Sequence, residues 1–151
     1  MNVRELCKRE AVTVREFDEL TDAAKLMREQ HVGYLVVVEP VVSDRGYRPV
    51  GVLTDRDIAI GVVARGVDPR SLRVGDLMSR KPVVVDESSS IEAALSEMRR
   101  IGVRRLPVVT DGGLLAGVIS MDEALYTLSA AMVSVAGAIK NEQRLETELR
   151  R

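Results

Sequence analysis

The sequence has no tryptophan, one phenylalanine, three tyrosines, one histidine and one cysteine in 151 residues. A lone Cys7 excludes an internal disulfide framework. His31 has no second histidine, cysteine or aspartate at ligand spacing, so it reads as a surface or turn residue, and no zinc pattern exists. Aromatic residues make up 3% of the chain and the net charge is −1, which supplies neither stacking platforms nor a basic field for a phosphate backbone. Nucleic acid is therefore not an expected partner, although Arg99-Arg100 and Arg104-Arg105 form a local basic cluster. The longest uncharged run, Ala124 to Ile139, is too short and too diluted by Ser, Thr and Gly to cross a bilayer. No basic-then-apolar leader opens the chain, and a cytoplasmic, membrane-free protein is the expectation. Glycine-rich phosphate loops and nucleophile, base and orienter sets are also missing, so no enzymatic activity is expected.

What is present is globular composition, 46% apolar and 30% charged, in a chain long enough to bury a core without covalent help. Offsetting the sequence against itself by about 71 positions reveals an internal duplication. Val3 falls on Val74, Leu6 on Leu77, Arg9 on Arg80, Val12 on Val83, Val14 on Val85, Met27 on Met98, Val32 on Val103 and Leu35 on Leu106. The register then slips by about five residues, because the turn Pro40 to Arg48 is longer than Thr110 to Leu114, and loops absorb such insertions at little entropic cost. Matching resumes with Gly51-Val52-Leu53-Thr54 over Gly117-Val118-Ile119-Ser120, and Asp57 over Glu123.

Each copy reads as β-α-β-β-α. Val12 to Val14 and Val83 to Val85 are β-branched runs. Glu19 to Gln30 and Ile91 to Arg100 place Leu20, Ala23, Met27 and Ile91, Ala94, Met98 on one helical face. Asp18 and Ser89 are expected N-caps, with Glu92 closing a box on Ser89. Tyr34 to Glu39 and Leu106 to Val109 are apolar strands, each followed by a turn and a return strand ending at Leu53 or Ile119. Neither copy buries enough surface alone, so an α/β (α+β) fold is expected in which the two sheets pack together and leave clefts. Cys7 aligns with Met78, which places it in an apolar slot.

The stretch Gly51-Val52-Leu53-Thr54-Asp55-Arg56-Asp57 resembles the ending of the CBS motif: glycine, two apolar residues, Ser or Thr, two residues, then Asp. Val103-Arg104-Arg105-Leu106-Pro107-Val108-Val109 is similar to the strand of that family in which a basic pair precedes Leu-Pro-Val. The resemblance covers roughly residues 1 to 125. It implies a stand-alone bacterial Bateman module with pseudo-twofold symmetry. The expected divisions are motif 1 over 1–65, a linker over 66–73, motif 2 over 74–125 and a C-terminal helix over 126–151. It also implies clefts that bind AMP, ATP, NAD or S-adenosylmethionine, in a regulatory protein that senses energy state.

A nucleotide site needs a carboxylate for the ribose hydroxyls, an apolar slot for the base and cations for phosphate. Asp57 is the ribose candidate, with Thr54 adding a hydroxyl, and Arg104 and Arg105 are the phosphate candidates. By the family resemblance, Pro82, Val83 and Val84 line the adenine slot. Arg56 adds a phosphate contact at the helix start. The competing reading of Thr54-x-x-Asp57 is a helix capping box.

The second cleft, around Val12, Tyr34, Ser120 and Glu123, departs from the pattern. Glu123 replaces Asp and favours capping with Ser120, and Gly33-Tyr34 stands where the other copy has its arginines, so this cleft is expected to lack phosphate cations and to bind weakly or not at all. The C-terminal segment spaces Leu125, Leu128, Met132, Val135 and Ile139 by threes and fours before a charged tail, which fits packing on its own disc or on a second chain. The family resemblance implies a homodimer with a regulated protein partner. The alternative function is a dimerisation or docking module whose clefts bind nothing.

Overall fold

The computed structural model describes residues 1–150. Helix α1 (Val3–Leu6) and strand β1 (Thr13–Val14) lead into helix α2 (Leu20–Gln30), and the hairpin β2 (Tyr34–Val41) and β3 (Gly46–Thr54) follows. A short helix α3 (Asp55–Ile58) runs on through a π-helical turn, Ala59–Val63. The second half repeats the plan with α4 (Val74–Leu77), β4 (Ser79–Arg80), β5 (Val85–Asp86), α5 (Ile91–Ile101), β6 (Arg105–Val109), β7 (Leu115–Ser120) and α6 (Met121–Leu149).

The strands form two sheets, ordered β1-β2-β3-β4 and β5-β6-β7. In each, the first strand pairs parallel with the second and the hairpin pairs antiparallel, with a bulge at Val37/Val38 in one and Val108/Val109 in the other. The halves exchange their leading segments. β4 pairs antiparallel with β3, so the second copy supplies an edge to the first sheet. Reciprocally, Lys8 exchanges both backbone hydrogen bonds with Val118, each 2.9 Å, at the edge of the second sheet.

Burial follows the exchange. Val74, at the start of the second copy, lies in the core with Leu20, Met27, Leu35 and Leu53. Val3, at the start of the first, lies in the core with Met98, Leu106, Val108 and Ile119. Both valines are fully buried. Cys7 packs against the second cluster as Met78 does within the first, and burial pushes its thiol pKa up. Pairing an otherwise open edge with the other half satisfies backbone groups that neither copy could satisfy alone.

The same exchange corrects the expected helix starts. Asp18 is not the cap of α2: its carbonyl accepts from the Val74 amide at 2.9 Å, and its carboxylate accepts from the Arg15 amide at 2.8 Å. Glu19 is the cap residue, with no side-chain bond. Ser89 is likewise held outside α5 because its carbonyl accepts from Val3 at 2.9 Å. Ser90 caps instead, its hydroxyl accepting from the Ala93 amide at 3.2 Å, so the box between Ser89 and Glu92 does not form. The first strands are also shorter than expected, Thr13–Val14 and Val85–Asp86.

Candidate functional site

The first cleft, about 560 Å³, opens where β3 turns into α3 and faces β4, the segment after it and the start of β6. Thr54, Arg56 and Asp57 reach it from the first half, and Pro82, Val83, Arg104 and Arg105 reach it from the second. Val84 does not. The residue is 38% exposed and lies outside the lining, with Pro82 and Val83 forming the wall before β5 begins.

Thr54 and Asp57 form a complete capping box. The Thr54 hydroxyl accepts from the Asp57 amide at 3.1 Å, and the Asp57 carboxylate accepts from the Thr54 amide at 2.9 Å. The box fixes both side chains at the mouth of the cleft and leaves the second Asp57 oxygen, Oδ1, free of protein hydrogen bonds among the described residues. Capping and presentation toward the cleft are thus compatible.

Cations outnumber carboxylates here. Arg56, Arg80, Lys81, Arg104 and Arg105 line the cleft against Asp55 and Asp57. Arg80 is paired with Glu16 at 2.7 Å and Arg104 with Asp122 at 3.1 Å. The guanidinium of Arg105 lies over the Tyr34 ring, 6.0 Å from its centroid. Burial pushes the Tyr34 phenol well above its ordinary pKa, with the Arg105 charge opposing that shift. Arg80 and Lys81 were not anticipated, although the run Arg80-Lys81-Pro82 puts two cations directly before the expected apolar wall.

The second cleft, about 300 Å³, is lined by Val12, Tyr34, Ser120 and Glu123 together with Lys8, His31 and Arg105. The expected capping forms there in half, and the expected lack of cations does not hold. The Ser120 hydroxyl accepts from the Glu123 amide at 3.2 Å, but the Glu123 carboxylate turns to Lys8 Nζ at 2.8 Å and does not return to the Ser120 amide. The cleft also has cations, because the exchanged leading segment delivers Lys8 and because Arg105 stands between the two clefts and borders both. Among the described residues no cluster of three His, Cys, Asp or Glu side chains could hold a metal ion, and no helix is long and apolar enough to cross a membrane.

A duplicated β-α-β-β-α unit with exchanged edges and a pair of pseudo-equivalent clefts defines a tandem CBS pair. The chain belongs to the CBS-domain family, whose model matches residues 3–63 and 74–130. It is 35% identical over 136 residues to Hypoxic response protein 1 of Mycobacterium tuberculosis, covering 90% of this chain and 92% of that one. The crystal structure of Hypoxic Response Protein I with two coordinated zinc ions superposes with a TM-score of 0.70 at 32% identity, covering 83% and 98% of the respective chains. A CBS domain protein from Pyrobaculum aerophilum complexed with AMP superposes with a TM-score of 0.71 at 28% identity, covering 82% and 89%.

Proposed function

We propose that this protein is a non-catalytic, cytoplasmic regulatory module that binds an adenine nucleotide in the first cleft and works as a homodimer on a protein partner. AMP is the first ligand to test, with ATP, NAD and S-adenosylmethionine as the other members of the class. One observation carries the reading: a carboxylate and hydroxyl from one half, an apolar wall and guanidiniums from the other, converge on a gap of about 560 Å³, within the range of small-molecule sites. The AMP complex of the Pyrobaculum aerophilum relative supports the ligand class.

In this reading Asp57 accepts the ribose hydroxyls through the oxygen its capping role leaves over, and Pro82 and Val83 flank the base. Arg105, Arg104 and Arg56 neutralise the phosphate as charge-assisted donors. Binding across the two halves favours whichever relative arrangement of them closes the gap, and a partner reads that shift. Calorimetry with AMP, ATP, NAD and S-adenosylmethionine tests the proposal, and an absence of heat and of thermal shift with all of them would remove it.

The completed Thr54–Asp57 box favours a second reading, a docking module in which those residues serve the helix start alone. That reading requires Asp57→Ala to leave any ligand response unchanged.

A further inference from the structure

From Leu128 to Leu149 every residue of α6 is exposed, so roughly 33 Å of helix presents its side chains to solvent. Its sequence is unsuited to standing alone. Ala124 to Ile139 carries no charge, and Thr127, Ser129, Val133, Ser134, Val135 and Gly137 are all poorer helix formers than Ala or Leu. An isolated helix of this length is marginal in water, and one with an uncovered apolar stripe gains by placing it against a partner. Leu128, Met132, Val135 and Ile139 form one seam at four-three-four spacing, flanked by Ala131 and Ala136, in a groove that is almost wholly apolar.

We infer that the occupant of this groove is the same helix of a second copy, running antiparallel. The inference rests on the homodimer reading above and specifies its interface. Continued toward the C-terminus, the seam passes through Glu142 and Glu146. A parallel, in-register pair would set each glutamate against its own copy, a like-charge arrangement that is destabilising. The antiparallel pair sets Leu128 opposite Ile139 and Met132 opposite Val135, twice each by the twofold axis, and places the two charged tails at opposite ends of the pair, with Glu142 opposite Leu125 of the other copy. Ala131 and Ala136 on the flanks let the helix axes come close. The interface is isologous and self-complementary, as a twofold dimer requires. The overlap is short, about 15 residues, so association belongs at the weak end of stable interfaces and is read across concentration.

Analytical ultracentrifugation of the full chain up to about 100 μM is expected to give a dimer. Val135→Glu, exposed and remote from the disc, is expected to give a monomer with an unchanged circular dichroism melt of the disc. Val133→Glu, on the opposite face of the helix, is expected to remain dimeric. In a Cys7→Ser background, Leu128→Cys alone and Ile139→Cys alone form no disulfide with themselves, while an equimolar mixture of the two crosslinks under mild oxidant. A monomeric parent at the highest concentration sinks the homodimer reading and this inference together. A dimer that survives Val135→Glu, a dimer broken by Val133→Glu, or self-crosslinking of Leu128→Cys overturns the antiparallel seam alone.

Discussion

Asp57 and Thr54 hold each other across the start of α3, the carboxylate on the Thr54 amide at 2.9 Å and the hydroxyl under the Asp57 amide at 3.1 Å. One carboxylate oxygen is thereby committed to the fold and the other remains for a ligand. Asp57→Ala removes the return half of the capping box, and on the scale of lost caps this lowers stability by about 1 kcal/mol in denaturant titrations. Calorimetry of the same variant is expected to lose the nucleotide heat altogether. Retained heat would leave Asp57 with the capping role only.

Arg105 is predicted to matter more than Arg104 for phosphate. Arg104 is engaged with Asp122 at 3.1 Å, whereas Arg105 lies over Tyr34 and borders both clefts. A hydrogen bond to a charged group contributes about 1.5–3 kcal/mol, so Arg105→Ala weakens AMP binding by roughly 10- to 100-fold. Adenosine, which has no phosphate, should bind the variant and the parent within about twofold of each other. Equal weakening for adenosine would reassign Arg105 to shaping the cleft through Tyr34.

The duplication, α2, α5 and both hairpins were legible because each carries a run of apolar residues at helical or strand period. The exchange of leading segments was not. α1, α4 and β4 are too short to show a period, and their partners are distant in sequence, as with Val3 on Ser89 and Val74 on Asp18. That blind spot accounts for the misplaced caps at Asp18 and Ser89 and for the arrival of Lys8 beside Glu123. Val84 is assigned to the adenine wall only by the family resemblance, and the run Val83-Val84-Val85 itself carries no signal for where the wall ends and the strand begins.

The exchanged segments also explain the glycine that opens each Gly-apolar-apolar-Ser/Thr motif. A β-carbon on Gly117 would collide with the Lys8 carbonyl, and one on Gly51 would come within 2.9 Å of the Ser79 carbonyl and 2.8 Å of Met78 Sδ. Backbone cannot yield as a flexible side chain does, so Gly117→Ala is expected to cost about 1–3 kcal/mol, with Gly51→Ala in the same range. Gly112→Ala, where the nearest atom is Thr110 Oγ1 at 3.8 Å, should stay within about 0.5 kcal/mol of the parent. Equal thermal stability of the Gly112 and Gly117 variants would show that the crossing does not need the glycine.

His31 and Gly102 end α2 and α5 in the same left-handed conformation, with φ of 54° and 71°. A side chain in that region carries a penalty of about 1 kcal/mol that glycine escapes. His31→Gly should therefore raise stability by about 1 kcal/mol, and Gly102→Ala should lower it by a similar amount although no atom lies within 4 Å of the added carbon. Because His31 borders the second cleft and not the first, the AMP affinity of the first cleft should not move. Denaturant titration with calorimetry on the same preparations separates the effects. A destabilised His31→Gly would mean that the imidazole makes a contribution to the helix end larger than its backbone strain.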